Sequence, residues 1–144
     1  MAVHHVPQGF HAITPYLVVD GADRLLDFVQ KAFDAEVVVR MDGPDGKVHH
    51  AQVKIEGAML ELANAGEHWS AMPAGIHLYV KDIDATYRRA LDAGAVMILG
   101  PTDQFYGERS ASVKDPVGNV WHIATHTEDV SAEEMKRRVA AMGK

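Results

Sequence analysis

The side chains able to do chemistry sit at alternating positions in segments that read as strands. Glu61 lies between Leu60 and Leu62, and a carboxylate in so apolar a strand needs a cation or strong donors, because burying it unpaired is costly. His77 and Tyr79 alternate along Ile76 to Val80, and His122 and Ala124 along Val120 to Thr125. Neighbouring strand residues point to opposite faces, so two sets separate. Leu17, Val19, Leu60, Leu62, Leu78 and Ile123 form one face and should carry helices. The other face collects Thr14, Tyr16, Met59, Glu61, His77, Tyr79 and His122. Aromatic, apolar and few charged residues together suit a pocket lining better than a wet surface.

The remaining candidates are weaker. His49 and His50 are adjacent and must face opposite ways; His50 is the one expected to reach the polar face. His126 lies about 13 Å along the strand from His122, too far to share one metal ion. His4, His5 and His11 fall in a leader and carry no expected role. Phe105, Tyr106 and Arg109 stand close together in a loop. An arginine beside aromatics suits a carboxylate or phosphate group of a ligand. The competing reading, slightly favoured, pairs Arg109 with Glu108 or another acid. His68 and Trp69 fall in a joining segment, where packing on the domain itself is the commoner fate.

These residues need a scaffold, and the periodicities supply one twice. Ile13 to Val19 reads as a strand, with Asp20 as helix cap and Ala22, Leu25, Leu26, Val29 and Phe33 at helical spacing. Glu36 to Met41, Val48 to Ile55 and Ala58 to Ala63 read as strands, the last two joined at Glu56-Gly57. The order then recurs. Ile76 to Val80 is a strand, Asp82 caps a helix that Gly94 ends, and Val96 to Leu99 is a strand. Gly100 to Gly107 is expected as a loop, followed by strands Ser110 to Lys114 and Val120 to Thr125. Leu17-Val18-Val19 matches Leu78-Tyr79-Val80, and Ala32-Phe33-Asp34-Ala35 matches Ala90-Leu91-Asp92-Ala93. The fold class is therefore α+β: two β-α-β-β-β units, residues 11–66 and 75–127, whose curved sheets form a cup. Residues 128–144 form a C-terminal helical arm, opened by the capping box Ser131 and Glu134.

Composition narrows the function. The chain has 144 residues, with 20 acids against 14 Lys and Arg, a formal charge of −6. That charge repels phosphate backbones, so nucleic acid is not an expected partner. Without cysteine there is no thiolate metal site or cysteine nucleophile, and a reducing cytoplasmic location is compatible. The first nine residues do not read as a signal peptide, and no apolar run approaches a membrane span. No phosphate-loop, dinucleotide or nucleophile-elbow pattern occurs.

Three segments resemble the vicinal oxygen chelate superfamily, which includes glyoxalase I, bleomycin-resistance proteins and extradiol dioxygenases. They are Tyr16-Leu-Val-Val-Asp-Gly-Ala with Lys31-Ala-Phe-Asp-Ala, His77-Leu-Tyr-Val-Lys-Asp-Ile-Asp, and Lys114-Asp-Pro-Val-Gly-Asn-Val-Trp. Pro44-Asp-Gly-Lys and Gln104-Phe-Tyr-Gly-Glu-Arg further resemble a glyoxalase-like subgroup that carries a phosphonate-metabolism label, which implies no phosphonate chemistry. The resemblance implies four metal ligands on the first and last strands of the two units, which fall on Thr14, Glu61, His77 and His122. Two imidazoles and a carboxylate suit Fe(II), Mn(II), Ni(II) or Zn(II). Thr14 is a poor ligand where the family has His or Gln, and His122 replaces a glutamate. Either water fills the fourth place or the metal has been abandoned.

Two functions are therefore expected. One is a metal-assisted lyase, isomerase or oxygenase acting on a small oxygen-bearing molecule, with Glu61 as ligand or base. The other is a metal-free protein that sequesters a small molecule, stacking it on Tyr16, Tyr79, Phe105 and Tyr106. A homodimer is expected, since the apolar positions Met135, Val139 and Met142 of the last helix need a partner surface.

Overall fold

A computed structural model of the chain describes residues 2–143. Met1 and Lys144, which the leader and last helix were expected to include, lie outside the described residues. Among these the first unit contains β1 (Tyr16–Val19), α1 (Ala22–Phe33), β2 (Glu36–Asp42), β3 (Val48–Ile55) and β4 (Ala58–Asn64). The second contains β5 (Gly75–Tyr79), α2 (Ile83–Asp92), β6 (Val96–Gln104), β7 (Glu108–Lys114) and β8 (Val120–His126), followed by α3 (Ala132–Met142). The sheets run β1-β4-β3-β2 and β5-β8-β7-β6, each with one parallel pair at the inner end. The two α+β units share one topology, down to a register break at the same place in each outer pair, at Val37/Val39 and Met97/Leu99.

The helices cover one face of each sheet, α1 on β1, β3 and β4 and α2 on β6, β7 and β8. α1 is strongly amphipathic and buries Leu25, Leu26, Phe28, Val29 and Phe33. Phe28 and Phe33 meet edge-on at 5.5 Å, and Phe33 lies 4.8 Å from Trp121 of β8. One apolar core therefore joins the units, each large side chain contributing about 1.5–3 kcal/mol. Arg89 of α2 adds a tie to α1, donating to the Lys31 carbonyl at 3.1 Å and the Asp34 carboxylate at 2.7 Å.

Three local expectations change. β1 starts at Tyr16 rather than Ile13, because Pro15 brings no N–H to a ladder and its carbonyl instead accepts from Glu61 N at 2.9 Å. Thr14 therefore lies outside the strand, its hydroxyl donating to the His11 carbonyl at 3.1 Å. Asp20 does not cap α1: the N-cap is Gly21, at φ 108°, and no capping side chain comes from it. Asn64, at the end of β4, replaces the cap by accepting from Gly21 N and Ala22 N at 3.0 and 3.2 Å. The stretch from Gly100 to Gln104, expected as loop, continues β6. An edge strand tolerates Pro101 because its outward positions donate to no neighbour. Elsewhere the caps follow expectation, Asp82 accepting from Ala85 N and Ser131 from Glu134 N, both at 3.1 Å.

Candidate functional site

The face of each sheet turned away from the helices carries a polar cluster. In the first sheet Tyr16 stands opposite Glu61, and Glu61 opposite Gln52. The Glu61 carboxylate accepts from the Gln52 amide at 3.3 Å and lies 3.3 Å from His50 Nε2. The His50 ring is 5.8 Å from that of Tyr16. Glu61 is thus partly exposed and already has protein partners, so its strand does not require a cation. Gln52 escaped the sequence reading, although the tight turn at Glu56-Gly57 sets its register: counting back from Ile55 and Ala58 puts it opposite Glu61.

In the second sheet His77 pairs in register with His122, and their rings are 6.5 Å apart. The Tyr79 ring lies 4.6 Å from His77, and its hydroxyl donates to Glu108 at 2.6 Å. That hydrogen bond, with some burial and the adjacent negative charge, holds the phenol above its ordinary range, so Tyr79 stays protonated. The other Glu108 oxygen is 3.9 Å from His77 Nε2. His122 Nδ1 shares a 2.8 Å hydrogen bond with Ser112, which is buried beneath it. This bond fixes the ring and leaves the far nitrogen toward solvent. Glu108 and Ser112 were not among the expected site residues. Their signal was the strand alternation of β7, which places 108, 110 and 112 on the face of His122.

The same alternation sends Arg109 the other way. Its guanidinium grips Asp84 of α2 through two bonds, at 2.9 and 3.0 Å, and reaches Asp103 at 3.4 Å. The bonds lower the Asp84 carboxyl and raise the guanidinium. Arg109 thus stands on the helix side in an ion pair, and Asp84 is the acid that the paired reading of Arg109 with Glu108 or another acid left open. Phe105 and Tyr106 lie at the β6–β7 turn, packed edge to face at 5.1 Å. The Phe105 carbonyl accepts from Arg138 of α3 at 2.7 Å, which straps the arm to that turn. His126 bonds Asp129 at 2.7 Å at the exposed strand end.

The family's ligand positions can be tested against this geometry. The residue equivalent to His77 is Tyr16, opposite Glu61, and not Thr14. Among the described residues no three His, Asp or Glu side chains converge as a metal ion would need. Glu61 belongs to one sheet and His77 and His122 to the other, and no ladder joins the sheets. Glu61, His77 and His122 do not form such a group.

The model of the Glyoxalase/Bleomycin resistance protein/Dioxygenase superfamily matches residues 4–123. The chain belongs to that superfamily. The uncharacterized protein Mb0911c of Mycobacterium bovis is 36% identical over 143 residues, covering 92% of this chain and 94% of its own length. Among solved structures, TioX from Micromonospora sp. ML1 superposes with a TM-score of 0.70 at 22% identity, over 81% of this chain and 98% of TioX. TnmS3, an antibiotic binding protein from Streptomyces sp. CB03234, gives a TM-score of 0.60 at 23% identity, over 88% and 99%. At such identities the two structures carry the fold alone. Among the described residues no helix is long and apolar enough to cross a membrane.

Proposed function

We propose that this superfamily member binds a small organic molecule on the open faces of its sheets, without an ion, and does so as a homodimer. The observation that carries the reading is that each polar cluster is closed by partners in its own sheet. Glu61 is held by Gln52 and His50, Tyr79 by Glu108, and His122 by Ser112. The Glu61 and Glu108 carboxylates, which accept these bonds, are satisfied without a cation. Tyr16 and Tyr79, each 52% exposed, offer flat apolar surface beside them. That TnmS3, described as an antibiotic binding protein, has the same fold supports this reading.

A second reading, a metal-assisted lyase, isomerase or oxygenase, is favoured by the two imidazoles of His77 and His122 in register on adjacent strands. Melting chelator-treated protein with and without Mn(II), Ni(II), Zn(II) or Fe(II) separates the two. A ligand held at a hundred times its Kd adds about 2.7 kcal/mol to the native state, a rise easily seen. The ion-free reading expects a flat midpoint for every metal. A rise that His77→Ala abolishes and His126→Ala leaves intact would establish the second reading instead.

A further inference from the structure

Between the two units lies a cavity of about 200 Å³ that shares His77 with the polar clusters and is otherwise distinct from them. Its floor is apolar and buried: Ile55 and Leu60 from the first unit, Leu78 and Trp121 from the second. The Trp121 indole N–H already donates to Asp115 at 2.8 Å, so that polar atom makes no demand on an occupant. Ala58 and Ile76 line opposite walls, and Ile13, 88% exposed, stands among the leader residues that line it. His77 lines the cavity and also belongs to the open-face cluster, 4.6 Å from Tyr79 and 6.5 Å from His122. Two clefts elsewhere on the described surface are lined by charged groups, Asp23, Arg24 and Asp27 in one and Asp45 and Lys47 in the other, and a third is formed within the leader by residues such as His4, Gln8 and Phe10.

We infer that the ligand carries a phenyl-sized apolar group, which enters this seam cavity, joined to a neutral hydroxyl or carbonyl head that stays at His77. The inference rests on the small-molecule reading above and names the ligand class. The volume sets the size, because a dry cavity of about 150 Å³ walled by aliphatic and aromatic side chains already accepts benzene. The walls set the polarity, since no lining residue other than His11 and His77 is polar. An anionic head is disfavoured because Glu108 lies beside His77 and the chain carries a charge of −6, and a neutral hydroxyl or carbonyl is what hydrogen-bonds an imidazole nitrogen directly.

The test uses Trp121 as reporter in a Trp69→Phe background, which removes the other tryptophan, exposed in the joining segment. Benzyl alcohol, toluene, ethanol and 2-naphthylmethanol are titrated against its emission and against the His77 imidazole resonances. Benzyl alcohol is expected to bind at least tenfold tighter than ethanol, which lacks the ring. It should also bind tighter than toluene, which lacks the head, and tighter than 2-naphthylmethanol, which is too large. Ala58→Phe fills the cavity from the exposed first residue of β4 and should weaken benzyl alcohol at least tenfold. Ile76→Phe, from the opposite wall, should do the same, so a folding fault in one variant leaves the other to decide. His77→Ala should reduce benzyl alcohol to the level of toluene. If benzyl alcohol shifts the His77 resonances but both filling variants bind it unchanged, the cavity assignment falls and the open-face reading stands. If no probe perturbs Trp121 or His77, both fall.

Discussion

Asp115 offers a direct measure of what positions the second cluster. It is 5% exposed and accepts four hydrogen bonds. One oxygen takes Val117 N at 2.9 Å and Asn119 N at 3.0 Å; the other takes Asn119 Nδ2 at 3.1 Å and Trp121 Nε1 at 2.8 Å. Asn119 is fully buried and in turn accepts from Ala74 N at 2.9 Å, fixing the start of β5. The turn and the strand bearing His77 are thus tied through one carboxylate. In Asp115→Ala the backbone donor of Val117 can turn to water, because that residue is only half-buried. Asn119 N, Asn119 Nδ2 and Trp121 Nε1 have no such recourse, Asn119 being fully buried. At about 1–3 kcal/mol for each stranded donor, the loss centres near 6 kcal/mol. With about 3 °C per kcal/mol for a chain of this size, the melting midpoint should fall by roughly 18 °C. Asp115→Asn keeps the shape but turns an NH₂ toward two donors, so it should recover only part of the loss. Thermal unfolding followed by tryptophan emission and near-ultraviolet dichroism reads both. A fall below about 3 °C, with Trp121 emission unchanged, would refute the view that this carboxylate holds the strand in place.

Two further outcomes follow from the placement of Arg109. Arg109→Ala should lower the melting midpoint while leaving affinity for open-face ligands within about twofold, since the side chain grips Asp84 on the helix side; a tenfold affinity loss would return it to the site. Its partner gives a pH signature. The hydrogen bonds from Arg109 depress the Asp84 carboxyl below its ordinary 3.8 in the folded chain. The pair's contribution is therefore present above that value and is lost as pH falls through the lower folded value. Asp84→Asn should flatten the acid limb of stability against pH, and an unchanged limb would count against the pair. The dimer is checked by light scattering at micromolar concentration, where a monomer mass would remove it. Its grounds are that α3 buries none of its residues and that Val96, Met97, Ile98 and Leu99 lie exposed on the edge strand β6.

The repeated units and their two-faced strands were legible because each rests on local signals: alternation in Ile76 to Val80, helical spacing in Ala22 to Phe33, and paired turns. What escaped depended on distant partners. Asn64 lies 43 residues from the Gly21 N–H it satisfies, and no capping residue beside the helix announces it. Arg109 could be set among acids by sequence, but which acid it takes depends on how α2 crosses β7. Gln52, Glu108 and Ser112 were accessible through register counting, which the turn lengths permitted. The failure at Thr14 was of another kind, since the internal match itself aligns Tyr16 with His77.

That alignment carries the last step. Equivalent positions in the two sheets hold different chemistry: Tyr16 and Glu61 in one, His77 and His122 in the other, with Gln52 behind the first pair and Ser112 behind the second. A duplicated scaffold that needed one metal would be expected to keep donors at all four inner positions. Here a phenol stands at one of them, and the carboxylate beside it is satisfied by an amide. The asymmetry agrees with a ligand whose single polar head meets the imidazole pair of the second sheet, as inferred above. His77 is the one inner position that also borders the apolar seam, so polar recognition and apolar size selection meet at a single side chain.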